Sequence, residues 1–243
     1  MLEKTEAIVL HFLKYGESKL VVDMFTRLYG RLTFMVPLSQ SLRSKMKKQY
    51  FQPLTLLYIE VDVRPQAQMQ KLHDVALLVP MPSLLSEPSK LAIALFTSEF
   101  LYHALRDEQQ NGALFDYLHH SIDWLDKCEH DYANFHLVFL IHMSRFLGFY
   151  PNIEDREEAP MLIFDMREGH FCKEIPVHRD FLMPDEARHV RLLMRMDYAT
   201  MHLFRLNHAA RNRILDVFIH YYRLHLPALP EMRSLEVFRE LYG

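Results

Sequence analysis

Over residues 1–80 the apolar positions recur with a period near two, and after residue 80 the period becomes that of a helix. "TEAIVLHFLKY", "SKLVVDMFTRLYG", "RLTFMVPL", "PLTLLYIEVDV" and "AQMQKLHDVALL" read as five short strands, with Gly30 supplying a turn between the second and third. The fourth alternates most clearly: Leu54, Leu56, Tyr58 and Glu60 fall on one face, and Thr55, Leu57, Ile59 and Val61 on the other. Five strands within 80 residues predict a small barrel or sandwich.

"VPMPSLLSEPS" then interrupts the pattern with prolines and serines and reads as a connector. Helical stripes follow in "EPSKLAIALFTSEFLYHALRDE", "GALFDYLHHSIDWLDKC" and "DYANFHLVFLIHMSRFLGF". The last is apolar nearly all round, which predicts a helix inside a bundle, ended by Gly148 with Pro151 beyond. "MLIFDMREGHFC" predicts a hairpin turning at Glu168–Gly169. Helices resume in "PDEARHVRLLMRM", in "NHAARNRILDVFIHYYRLHL" with Asn207 as N-cap, and in "SLEVFRELYG" with Ser234 as cap. The expected class is therefore α+β, with a β domain over 1–80 and a helical domain over 81–243 that carries a hairpin near 160–175.

Composition removes several chemistries. Six glycines and no GxGxxG, GxxxxGK[ST] or GxSxG leave no loop built to cradle a nucleotide phosphate. Cys128 and Cys172 form no CxxC pair, and they read as small hydrophobes in a reducing compartment. Fifteen histidines invite a metal, but adjacent His119 and His120 point about 100° apart on a helix. "HRDFLMPDE" has Asp185 where a kinase catalytic loop needs Asn, and the remaining kinase signatures are missing. No apolar run reaches the roughly 18 residues that span a bilayer, and the N-terminus has no cleavable leader pattern, so a cytoplasmic protein is expected. No cofactor, metal or catalytic residue is assigned.

Charge supplies a candidate site. The chain is net −3, yet residues 1–80 hold eleven Lys/Arg against seven Asp/Glu. Four of those cations, Arg43, Lys45, Lys47 and Lys48, crowd one loop beside the third strand. Like charges repel, and a polyanion relieves that repulsion. Single-stranded nucleic acid on a small barrel is held this way, with basic loops along the phosphates and aromatics stacked on bases. Lys14, Arg27, Arg31, Arg64 and Lys71 are candidates to extend the surface, and Phe34, Tyr50 and Phe51 to stack. A barrel gripping an acidic protein is the competing reading, with a metal-dependent nuclease using some of the histidines third.

The order of features resembles the RecO family of bacterial DNA-repair proteins. The residues carrying the resemblance are the strand Thr5 to Leu10, "YGES" from Tyr15, "FTRLYG" ending at Gly30, and the basic loop ending at Gln52–Pro53. "FLIHMSRFLGFYP", "RILDVFIHYYRLHLP" and "RSLEVFREL" extend it through the helical part. The resemblance implies an N-terminal OB-fold and a helical C-terminal domain. It implies a recombination mediator without turnover, located with the bacterial nucleoid, that binds single- and double-stranded DNA and anneals complementary strands. The implied partners are RecR, the C-terminal tail of single-stranded-DNA-binding protein and, indirectly, RecA. Many relatives carry four cysteines as a zinc module, whereas only Cys172 stands in that region here, so no zinc is expected. For the acidic tail, His142 and Arg145 on the helix 132–148 are the candidate pocket residues.

Overall fold

The computed structural model describes residues 2–37, 46–64, 66–153 and 162–241. Five strands, β1 (Glu3–Tyr15), β2 (Lys19–Thr26), β3 (Gly30–Pro37), β4 (Leu56–Asp62) and β5 (Gln70–Leu77), close a barrel in the order β1-β2-β3-β5-β4. All neighbours are antiparallel except β3 and β5, which run parallel. This is the OB-fold order, and the period-two pattern is its cause: Leu57, Ile59 and Val61 are buried while Tyr58 faces solvent. Their partners in the barrel core include Val9, Leu20, Val22, Phe34, Val36 and Phe51. A bulge between Val9 and His11 bends β1, as strand curvature in a barrel requires.

The β2–β3 turn needs its glycine twice over. Gly30 has φ +66°, and a Cβ there would lie 2.4 Å from the Gln109 carbonyl carbon. The Arg31 amide donates to the Glu108 carbonyl at 3.2 Å, so the loop after the first helix lies directly on this turn.

Packing gathers the chain into two compact units, residues 1–127 with 230–241, and residues 128–229. The first holds the barrel, α1 (Pro88–Ala104), α2 (Gly112–Lys127) and α6 (Ser234–Leu241). Ser98 of α1 donates its hydroxyl to the Leu10 carbonyl at 2.5 Å, fastening the helix to β1. Phe96 of α1 stacks on Phe238 of α6 at 5.2 Å. Asp126 accepts the Ser83 and Leu84 amides at 2.9 and 2.7 Å, and the buried Lys90 ammonium donates to the Asp126 carbonyl at 3.0 Å. The proline- and serine-rich connector is thus a turn tied to the end of α2 through Asp126.

The second unit contains α3 (Phe135–Phe146), the small sheet of β6 (Ile163–Asp165), β7 (His170–Cys172) and β8 (Phe181–Leu182), α4 (Pro184–Met194) and α5 (His208–His225). α3 is buried along most of its length, as its all-round apolar character predicts. Asn207 caps α5 through its side chain, accepting the Ala210 amide at 2.9 Å. The hairpin turns at Gly169, with φ +68°. It is held by Phe164 against Phe171 and Tyr221, and by Asp165 against His178 at 3.2 Å. β8 carries too few residues to show a period in sequence.

Candidate nucleic-acid interface

Register determines which side chains share a surface. Across β1, β2, β3 and β5 one row runs Leu13, Val21, Met35, Lys71, and the next runs Tyr15, Lys19, Pro37. Leu13 and Tyr15 are each 57% exposed, and Lys71 and Lys19 are exposed too. Directly opposed residues in a sheet point to the same side. These rows therefore form an outer face in which aromatic and apolar groups are flanked by lysines. Lys14 is exposed where β1 and β2 run on toward their turn at Gly16.

Two loops of the barrel carry further exposed cations. Lys47 and Lys48 are exposed where the chain enters a short 3-10 turn, Lys48–Phe51, whose Tyr50 is half-buried against the barrel. Arg43 and Lys45, the other half of the basic loop, lie outside the described residues. Arg64 stands on the β4–β5 loop, 77% exposed in its side chain, with Asp62 3.5 Å away. Gln70 shapes that loop: its buried amide donates to the Arg64 and Ala67 carbonyls at 3.0 and 2.9 Å and accepts the Arg64 amide at 2.8 Å.

Several expected contacts are already used by the protein itself. Arg27 pairs with Glu6 and Asp116, both at 2.7 Å, and lies over the Phe115 ring at 4.5 Å. Arg31 donates to the Tyr102 carbonyl, covers the Tyr102 ring at 4.5 Å and meets Asp23 at 3.4 Å. Burial works against the Asp23 charge, but bonds from His11, Thr33 and Arg31 outweigh it and hold the carboxyl below its usual value. These two guanidiniums secure the barrel to α1 and α2.

The stacking assignments need correction at two positions. Phe34 and Phe51 are 0% exposed, so neither ring offers a face to a base. Phe34 shares its side of β3 with Val36 and points into the barrel. Tyr15 and Lys19, absent from the sequence-based set, occupy the exposed face instead. They flank the Gly16 turn, and turn-flanking residues escape burial because the strands have by then left the core.

In the second unit, the His142 ring nitrogen bonds the Met196 carbonyl at 2.6 Å. Arg145 lies over the Tyr150 ring at 4.3 Å. A separate slot of about 70 Å³ opens between α4 and α5, lined by Val190, Ile214, Val217 and Phe218, with Arg213 and Glu186 also lining it. Burial and the Arg211 charge push His136 down to about 3, so this fully enclosed imidazole is neutral. Among the described residues no group of three or more His, Cys, Asp and Glu is placed to hold a metal. None of their helices is long and apolar enough to cross a membrane.

Comparison with known proteins agrees with this architecture. The family model described as Recombination protein O N terminal matches residues 1–81, and Recombination protein O C terminal matches residues 85–235. The chain is 47% identical over 243 residues to the DNA repair protein RecO of Phocaeicola vulgatus, covering all of both chains. It is 46% identical to that of Bacteroides fragilis, again over all of both. To that of Porphyromonas gingivalis it is 31% identical, with the same full coverage. A barrel and helical region matched by both halves of one family, with full-length relatives at these identities, place the chain in the RecO family of DNA repair proteins.

Proposed function

We propose that the protein is a non-enzymatic recombination mediator that binds single- and double-stranded DNA on the barrel, anneals complementary strands and helps load the RecA recombinase. The observation that carries this reading is the exposed barrel face of Leu13, Tyr15, Lys19 and Lys71, on a domain whose strand end and loops carry the further exposed cations Lys14, Lys47, Lys48 and Arg64. Two DNA strands repel through their phosphates. A cationic surface touching both lowers that repulsion, while a sequence-tolerant aromatic ring holds unpaired bases open. No step of this needs bond chemistry.

RecR and the tail of single-stranded-DNA-binding protein are the proposed protein partners. An acidic tail ending in an aromatic residue suits an apolar slot with a cation at its rim. The α4–α5 slot has that chemistry, since Arg213 at its rim is 75% exposed in its side chain and its pair with Glu186 is a solvent-exposed one of small worth. His142 and Arg145 do not line it.

The test is oligonucleotide binding and strand annealing by the protein with Arg43, Lys45, Lys47 and Lys48 all changed to Ala. The expected result is weaker binding, a smaller dependence on salt and loss of annealing. Each phosphate contact removed lowers the logarithmic salt slope by about 0.7 on single strands and about 0.9 on duplex. Unchanged binding moves the site elsewhere. Binding without salt dependence in the unaltered protein turns the reading to a barrel that grips an acidic protein.

A further inference from the structure

β5 opens on a buried polar residue. Gln70 and Leu72 share one side of the strand and both are buried, Leu72 as part of the barrel core. A buried amide costs free energy unless it is hydrogen-bonded. Gln70 meets that cost entirely with main chain of the β4–β5 loop. Its carbonyl oxygen accepts the Arg64 amide, and its nitrogen donates to the Arg64 and Ala67 carbonyls. Both main-chain groups of Arg64 are therefore held by one side chain. The Ala67 amide closes the turn by donating to the Arg64 carbonyl at 2.9 Å. Gln70 is fixed in turn by the barrel, since it opposes Phe34 in the parallel β3–β5 joint.

The clamped loop reaches the exposed face. Lys71 is opposed by Met35 on one flank and by Asp62 on the other, and opposed residues point to the same side. The Arg64 guanidinium lies 3.5 Å from Asp62. The row Leu13, Val21, Met35, Lys71 thus continues to Asp62 and ends at Arg64. An exposed pair such as Arg64 with Asp62 is of small worth, which leaves the guanidinium available to a phosphate.

We propose that Gln70 is a positioning residue for DNA binding: touching no DNA itself, it holds the Arg64 main chain so that the guanidinium meets a backbone phosphate at the end of the Lys71 row. The proposal rests on the DNA-binding reading above and deepens it. A cation on a loose loop loses both backbone and side-chain freedom at the moment of binding. With the clamp in place the backbone part is already lost on folding, so only the side chain remains to be ordered.

The experiment uses the full chain and a fluorescein-labelled oligonucleotide of thymidines, titrated at several salt concentrations. Gln70→Met keeps the length of the side chain and removes its amide. It should weaken binding about fivefold, through the ordering that returns to the binding step. It should also lower the logarithmic salt slope by up to about 0.7, one single-strand phosphate contact. Arg64→Ala should do the same, and the double variant should bind no more weakly than Arg64→Ala alone. A purely structural role for Gln70 gives losses that add in the double variant and a salt slope that Gln70→Met does not change. If Gln70→Met fails to fold, Gln70→Glu replaces it, since a carboxylate accepts the Arg64 amide but gives nothing to the two carbonyls. Hydrogen exchange needs no variant: without DNA, the Arg64 amide should exchange slowly, as a strand amide does.

Additive losses, an unchanged salt slope, or an Arg64 amide that exchanges as fast as an open loop each overturn the proposal. So does an Arg64→Ala protein that binds normally while the variant with Arg43, Lys45, Lys47 and Lys48 changed to Ala does not, and the DNA reading then stands without it. An unaltered protein whose binding ignores salt removes both.

Discussion

Glu99 on α1 accepts the backbone amide of Ser234 at 2.8 Å and that of Arg233 at 3.1 Å, so the N-terminus of α6 is capped by a carboxylate from another helix. A helix start leaves amides without partners, and its partial positive charge favours an anion. The cap ties two segments more than a hundred residues apart, and it works in concert with the Phe96–Phe238 stack.

Glu99→Ala should therefore loosen α6 at a cost of about 1 kcal/mol, the usual worth of an N-cap. Burial raises the Glu99 carboxyl, but the Ser234 and Arg233 bonds outweigh it and hold the group below 4.5. A carboxylate lowered on folding stabilises above its unfolded value and loses that contribution as pH falls through the folded one. Protection of the α6 amides, taken relative to their intrinsic exchange rates, should accordingly fall below about pH 4.5 in the natural protein and show less pH dependence in Glu99→Ala.

Aromatic substitutions on the barrel should separate by side. Phe34→Ala and Phe51→Ala remove rings from the core and should each cost about 3–5 kcal/mol in urea denaturation. Tyr15→Ala should leave the denaturation midpoint nearly unchanged and weaken single-strand binding by about 1–3 kcal/mol, the worth of one stacked base. Equal stability losses at Tyr15 and Phe34 would remove Tyr15 from the interface.

Arginine substitutions should separate likewise. Arg31→Ala leaves Asp23 without its guanidinium and uncovers Tyr102, so a stability loss of about 1–3 kcal/mol is expected. Arg27→Ala should follow in the same direction. Neither should alter the salt slope of DNA binding as much as Lys47→Ala with Lys48→Ala, which should lower it by up to about two phosphate contacts. Titrations at several salt concentrations, beside thermal melts, read both quantities.

The enclosed His136 should make the second unit sensitive to acid. Its folded value is about 3, so the unfolded chain takes up a proton that the folded chain refuses as pH falls from about 6.5 toward 3. Stability from this group is complete above 6.5 and falls by up to about 1.4 kcal/mol per pH unit below it. His136→Leu should flatten that part of the pH–stability profile, whatever its effect at neutral pH.

Strand and helix identities were legible because burial on one side leaves a period. The five strands, the Gly169 hairpin and the Asn207 cap follow from local pattern alone. The inward direction of Phe34 was also readable, since it stands two residues from Val36. Local pattern held no information on partners far along the chain. Arg27 and Arg31 look like any exposed cation until α1 and α2 bring Asp116 and Tyr102 against them. Nor does serial position reveal that α6 packs with α1 and the barrel, because that depends on a contact made across the whole intervening unit of 128–229.

The grouping of residues 230–241 with the barrel has a consequence for how the protein is made. A ribosome finishes the barrel, α1 and α2, then synthesises the whole of the second unit before α6 exists. Throughout that interval the seat for Phe238 on Phe96, and the carboxylate that awaits Ser234, stay bare. Nascent chains halted before residue 230 should thus be the ones that chaperones hold, and release should coincide with delivery of the final helix.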